Sequence, residues 1–231
     1  MRVLAIIPAR GGSKGVPRKN LRHVGSKSLV GWAVHAARES RMVDRTIVST
    51  DDPQIAREAR MCGAEVDSRP PYLATDEALT APVLVELVGR MDPKPDIVVL
   101  LQPTVPMRRA GLVDECIHKV AEDGYESALT AGPLHFVWWK EQNSSDHIDE
   151  QGDWRCQCPR RPRRQDMRAR ELMWHEDGAV FAVRSDILLQ TGNHVAGRVD
   201  VVPNDWSVDI DTWPQLLAVD AIMRAREAGN G

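Results

Sequence analysis

The chain has 231 residues, 42% of them hydrophobic and 27% charged, a composition that can bury a full core. A formal net charge of −3 sets it apart from nucleic-acid coats and basic membrane-surface proteins. Four cysteines in this length exclude a disulfide scaffold and fit reduced thiols in a cytoplasmic setting.

The apolar run over residues 3–7 is rich in β-branched side chains and predicts a strand buried on both faces. It is too short for a signal-peptide core, and no other segment approaches bilayer-spanning length, so the expected partners are dissolved small molecules and not a membrane. A glycine-rich loop follows, then a helix over residues 29–39 and a strand over residues 45–50. Asp52 precedes Pro53, which suits a helix cap followed by a proline in the first turn. Further strands are predicted over residues 64–67, 96–101 and 126–131, alternating with helices over residues 80–90 and 110–121. From residue 132 to about 177 the alternation breaks, with Trp138, Trp139, Trp154, Trp174, polar turns and an arginine cluster. This stretch reads as a β-rich inserted arm, used for dimer contacts and for closing over a substrate. Regular structure returns with strands over residues 179–183 and 198–202 around a short helix at 185–190, and a last helix over residues 213–227. The fold class is therefore α/β: one domain with a mainly parallel sheet covered by helices on both faces. Ligands in such sheets gather at the carboxyl ends of strands, so the loops at Arg10, Asp51, Gln102 and after Ala131 should share one edge.

The loop from Arg10 to Asn20 concentrates the chemistry. Gly11, Gly12 and Gly15 let backbone N–H groups converge, and Arg10, Lys14 and Lys19 add fixed positive charge. After the first strand of an α/β sheet, that combination suits a triphosphate. It is neither a Walker A loop nor a dinucleotide fingerprint. On composition alone it reads equally as a phosphate cradle or as a connection with solvated cations.

The run Ile6-Ile7-Pro8-Ala9-Arg10-Gly11-Gly12-Ser13-Lys14-Gly15-Val16-Pro17-Arg18-Lys19-Asn20-Leu21 resembles the N-terminal signature of the acylneuraminate cytidylyltransferases, the CMP-sialic acid synthetases. The likeness extends through Ser49-Thr50-Asp51-Asp52, Arg69-Pro70, Leu73-Ala74-Thr75-Asp76, Leu100-Leu101-Gln102-Pro103-Thr104 and Val208-Asp209-Ile210-Asp211, in family order. It implies a nucleotidyltransferase fold of Rossmann-like type, a homodimer, and Mg²⁺-dependent transfer of CMP from CTP to an acidic nine-carbon sugar. The Gly-Gly-Ser-Lys-Gly run favours that acceptor over the lipopolysaccharide sugar Kdo. The same resemblance implies nucleotide contacts at Arg10, Gly11, Ser13, Lys14, Lys19 and Asn20, with Arg69, Ala78, Thr80, Gln102 and Pro103 framing the cytidine.

Asp209 and Asp211 lie two apart, so in an extended segment both carboxylates point to one side, an arrangement Mg²⁺ accepts while keeping places for phosphate and water. Asp-x-Asp is common in turns, and the family likeness is what favours the metal. With Arg10 and Lys14 these aspartates form the expected catalytic set. Of the arginines between 155 and 170, most read as a solvated basic arm, and the mildly acidic chain argues against nucleic acid. Arg163-Arg164-Gln165 resembles the family's Arg-x-Gln element, which implies that Arg163 and Gln165 contact the sugar acid, together with Gln102 and Lys140. Phe181 stands where the family has a tyrosine on the sugar side, and Asp177 where it has asparagine; near the N-acyl position the chain reads Asn193-His194-Val195. These departures leave room for another acid, such as pseudaminic acid, legionaminic acid or a small phosphonate, or for a non-catalytic nucleotide-binding relative. The pair Cys156-x-Cys158, near His147 and His175, does not have the spacing of a common zinc site.

Overall fold

The computed structural model describes residues 1–134, 139–141, 154–156, 173–204 and 207–229. In chain order the elements are β1 (Val3–Pro8), β2 (His23–Val24), β3 (Lys27–Ser28), α1 (Leu29–Glu39), β4 (Arg45–Thr50), α2 (Pro53–Met61), β5 (Glu65–Ser68), α3 (Thr80–Gly89), β6 (Ile97–Leu100) and α4 (Leu112–Ala121). They continue with β7 (Ser127–Leu134), β8 (Trp139–Glu141), β9 (Trp154–Cys156), β10 (Met173–Arg184), α5 (Ser185–Thr191), β11 (Val199–Pro203) and α6 (Trp213–Gly229).

Seven strands form one sheet in the order β11-β7-β10-β6-β1-β4-β5. β1 pairs in parallel with β6 on one side and β4 on the other, Ile6 standing opposite both Leu100 and Ile47. β5 and β11 are also added in parallel, whereas β10 runs antiparallel to β6. The mainly parallel α/β fold expected from the alternation is therefore present. The short hairpin of β2 and β3 was not expected; two-residue strands carry too little pattern to be read.

Side-chain alternation along β1 divides the core. Val3, Ala5 and Ile7 pack with Val30 and Val34 of α1 and Ile117 of α4. Leu4 and Ile6 pack with Leu84 and Leu87 of α3 and with Phe181 of β10. Both faces of the strand are thus covered, which is why its sequence is continuously apolar. Asp52 does cap α2, its Oδ1 accepting from the N–H groups of Gln54 and Ile55 at 2.7 and 3.0 Å. Ser28 caps α1 in the same way through Gly31 N–H at 3.0 Å.

The chain divides into two compact units, one of Met1–Gly132 with Glu176–Gly231 and one of Pro133–His175. Within the second, β8 and β9 form an antiparallel pair with Lys140 opposite Arg155. Among the described residues, no helix is long and apolar enough to cross a membrane.

Candidate active site

A third apolar cluster joins distant parts of the sequence. Val16, just past the glycine loop, and Ile210, between the two aspartates, are both fully buried in it with Leu29, Met107, Leu216 and Val219. Burying Ile210 turns its neighbours outward, since alternate residues of an extended segment face opposite sides. Asp209 and Asp211 consequently both line a cleft of about 320 Å³ that is also lined by Arg10, Gly12, Ser13, Lys19 and Asn20. That volume is at the small end of sites for small molecules, roughly 300–1,000 Å³.

Direct contacts reinforce the junction. Lys19, 13% exposed at its side chain, donates from Nζ to the Ile210 carbonyl at 2.8 Å and to Asp211 Oδ1 at 2.9 Å. Gly15 lies so close that a Cβ there would stand 2.1 Å from the Asp211 carbonyl oxygen. Only glycine permits that approach. The amide of Ile210 bonds the Thr104 carbonyl at 2.9 Å, joining the aspartate segment to the loop after β6.

The rest of the cleft comes from the carboxyl ends of β1, β5 and β6, with the loop after β4 supporting it from behind. Asn20 donates to the Arg10 carbonyl at 2.9 Å, and the Gly11 N–H donates to Asp51 Oδ1 at 2.9 Å. Arg69 is 6% exposed and donates to the Ser49 carbonyl at 2.6 Å; burial pulls its pKa below the ordinary arginine value, opposed by Asp51 and Asp67. Ala78, Leu79 and Thr80 line the opposite wall with Gln102 and Pro103. Thr80 opens α3, and Leu79 before it offers no side-chain cap, so the first N–H groups of the helix are left for a ligand or water.

Asp76 was not expected in the cleft wall, nor Arg108 as a partner of the Gln102 carbonyl. Asp76, which lines the cleft with Arg10, pairs with Arg10 Nη1 at 2.9 Å and with the exposed Lys14 Nζ at 2.8 Å. The acid lies in a quoted block, and its position opposite two cations is a tertiary fact that spacing does not carry. Arg108 donates from Nη2 to the Gln102 carbonyl at 2.6 Å and from Nε to the Ala179 carbonyl at 2.8 Å. Burial pushes its pKa down to about 10, while Asp177 acts in the opposite direction.

On the sugar side the placements are mixed. Phe181, expected at the acceptor, is 1% exposed and packs edge-on against His194 with ring centroids 4.9 Å apart. In β10 it packs in the core cluster with Leu4, Ile6 and Leu100, and it does not line the cleft that holds the two aspartates. Asp177 is 7% exposed, and its carboxylate accepts from Thr130 Oγ1 at 2.5 Å, Ala179 N at 2.9 Å and Asn204 Nδ2 at 2.6 Å. Three converging donors explain why a carboxylate stands where an asparagine was expected, since an amide nitrogen could not accept. Lys140 lies in β8 of the second unit, and Arg163 and Gln165 lie outside the described residues.

Two carboxylates facing a phosphate-sized cleft fit Mg²⁺, which is held by one or two carboxylates with substrate phosphates and water. They do not fit a closed protein cage, because no group of three or more His, Cys, Asp or Glu side chains suited to a metal occurs among the described residues. A larger cavity of about 650 Å³ between α1, α4 and α6 shares no lining residue with this cleft.

The Cytidylyltransferase family profile matches residues 4–151, which takes in the glycine loop, Arg69 and Gln102. The chain belongs to the cytidylyltransferase family. Its relatives include N-acylneuraminate cytidylyltransferases, the branch that the ordered blocks resemble. It is 32% identical over 216 residues to N-acylneuraminate cytidylyltransferase B of Danio rerio, covering 91% of this chain and 49% of that protein. It is 41% identical over 161 residues to the CMP-N,N'-diacetyllegionaminic acid synthase of Legionella pneumophila, covering 66% of each. This cytidylyltransferase-family chain thus spans about half the length of the Danio rerio relative. Its fold matches that of CMP:2-keto-3-deoxy-manno-octonic acid synthetase complexed with CTP, at a TM-score of 0.70 and 19% identity over 98% of this chain and 100% of that one.

Proposed function

We propose that the chain transfers CMP from CTP to an acidic, sialic-acid-like nine-carbon sugar and releases pyrophosphate, with Mg²⁺ held by Asp209 and Asp211. The observation that carries this reading is the meeting of the glycine loop and the twin aspartates in one cleft, through Val16, Ile210 and the Lys19–Asp211 pair. A cleft of this kind brings phosphate-binding donors and metal-binding carboxylates to the same reacting group.

The acceptor's anomeric hydroxyl attacks the α-phosphorus, and the bond to the pyrophosphate leaving oxygen breaks. Arg10 and Lys14 stabilise the charge that moves onto the phosphate oxygens. Mg²⁺, when bound, would neutralise the triphosphate and its leaving group. Arg69, Ala78, Thr80, Gln102 and Pro103 frame the cytidine, and Gln102 can offer both a donor and an acceptor. Lys140, Arg163 and Gln165 orient the acid, a forked guanidinium being well matched to a carboxylate. The arm over residues 132–177 serves a homodimer. The setting is cytoplasmic, consistent with free thiols at Cys62 and Cys116.

The test is pyrophosphate release from CTP with a panel of acids, other triphosphates and a metal-free control. Release with sialic acid, CTP and Mg²⁺ together is expected. A second reading keeps the reaction and changes the acid to legionaminic acid. It is favoured by the 41% identity to the Legionella pneumophila synthase, and the same panel decides it. CTP binding without turnover of any acid would refute both and favour a non-catalytic nucleotide-binding role.

A further inference from the structure

Asp76 holds an unusual place for a half-exposed aspartate. One carboxylate oxygen lies 2.9 Å from Arg10 Nη1 and the other 2.8 Å from Lys14 Nζ. The same Arg10 nitrogen also donates to the Thr75 carbonyl at 2.6 Å. The carboxylate therefore bridges the cation that opens the glycine loop and the cation at its centre, and it faces the cleft. Two oxygens of one anion, each on one of these cations, is also the pattern a phosphate group would make there.

We infer that Asp76 is an internal counter-ion of the glycine loop, occupying the phosphate's partners Arg10 and Lys14 in the empty protein and giving way when a polyphosphate enters. The inference rests on reading the cleft as a triphosphate site. Lys14 is 77% exposed and Asp76 36%, so each pair is screened by solvent and weak enough to exchange. While they last, the pairs hold two long, flexible side chains near the geometry a phosphate needs, which lowers the ordering cost of binding. They also set a threshold. A single phosphate offers little more than the carboxylate it replaces, whereas a di- or triphosphate brings additional charge to the same cations. Asp76 thus selects for polyphosphates over orthophosphate.

The experiment titrates pyrophosphate, in the presence of a chelator, into the full chain as wild type, Asp76→Asn and Asp76→Glu, with heat of binding as the readout and unfolding midpoints measured alongside. Exposed pairs of this kind are each worth up to about fivefold in an equilibrium constant, so Asp76→Asn should bind pyrophosphate about three- to tenfold more tightly. Asp76→Glu, which keeps the charge, should stay within about twofold of wild type. In a Lys14→Ala background the gain from Asp76→Asn should shrink, because one of the two exchanged contacts is gone. Equal or weaker pyrophosphate binding by Asp76→Asn overturns the inference, as does an undiminished gain in the Lys14→Ala background. Tighter pyrophosphate binding in Asp76→Asn without CTP turnover by wild type would reject cytidylyl transfer and keep the role of Asp76. CTP turnover with unchanged or weaker pyrophosphate binding would do the reverse.

Discussion

Replacing Gly15 by alanine tests the junction on which the site depends. The added Cβ would stand 2.1 Å from the Asp211 carbonyl oxygen and 3.3 Å from its carbon, and real Cβ atoms essentially never come nearer than 3.0 Å to another heavy atom. The obstacle is backbone, so the glycine loop and the aspartate segment must part by about 0.9 Å. Neither of Lys19's bonds to the aspartate segment, at 2.8 and 2.9 Å, survives that displacement in good geometry. Gly15 lies outside the sheet core, but the displacement strains the buried cluster of Val16 and Ile210 and breaks the Lys19 contacts, so the unfolding midpoint should fall while the sheet stays folded. A misplacement near 1 Å can cost about 10²-fold in rate, equivalent to about 2.7 kcal/mol of transition-state stabilisation. Steady-state pyrophosphate release by Gly15→Ala should therefore fall by about that factor in kcat/KM. Gly12→Ala is the control for folding, because a Cβ there meets nothing within 4 Å. Wild-type kcat/KM in Gly15→Ala, or unfolding of the whole chain, would refute the reasoning.

Asp209→Asn and Asp211→Asn should each raise the Mg²⁺ concentration needed for half-maximal rate by at least about tenfold, because a charged hard-oxygen ligand is replaced by a neutral amide; unchanged metal titrations in both would remove these residues from the metal site. Asp52→Ala should lower the unfolding free energy by about 1 kcal/mol through loss of the α2 cap, read by urea denaturation, and leave kcat/KM within about twofold. A tenfold loss of activity at wild-type stability would instead place Asp52 in the site. His194 lies against Phe181 with a buried Nδ1 that has no partner among the described residues, and burial lowers its pKa from the usual histidine value. The unfolded chain therefore takes up the proton first as pH falls. Stability from the neutral ring is complete above about pH 6.5, the unfolded value, and is lost as pH falls towards the lower folded value. Urea midpoints should drop across that window, and His194→Gln should flatten the dependence; the same slope in the variant would refute this assignment.

The fold was legible because β1 and β6 are covered on both faces and say so in continuous apolar runs, and because Asp52-Pro53 marks a helix start by chemistry local to the chain. The meeting of loop and aspartates in one cleft was legible for a similar reason. Glycines and cations are crowded into one loop, and Asp209-Ile210-Asp211 carries its own alternation. Phe181 was expected at the acceptor from the resemblance alone, and its burial could not be read in advance because a phenylalanine in a strand reads identically whether its face meets the core or a ligand. Asp177 could not be read as a buried acceptor of three hydrogen bonds, since Thr130 and Asn204 are far from it in sequence. Asp76 and Arg108 were missed on the same ground, their roles depending on partners supplied by other loops.

The carboxylates around the glycine loop fall into two kinds, and the difference lies in their surroundings. Asp76 holds Arg10 and Lys14 near solvent, where nothing else commits the Lys14 ammonium among the described residues. Asp211 meets Lys19 where that ammonium is mostly buried and also bound to the Ile210 carbonyl. An entering phosphate can exchange for the first carboxylate at small cost. Pulling Lys19 away would leave a buried carbonyl and a buried ammonium without partners, which costs far more. Lys19 thus helps to fix where the aspartate pair stands, although it shares a loop and a charge with Arg10 and Lys14. On the triphosphate reading of the cleft, one loop therefore carries two cations open to exchange and one already held by the chain, beside the buried cluster of Val16 and Ile210.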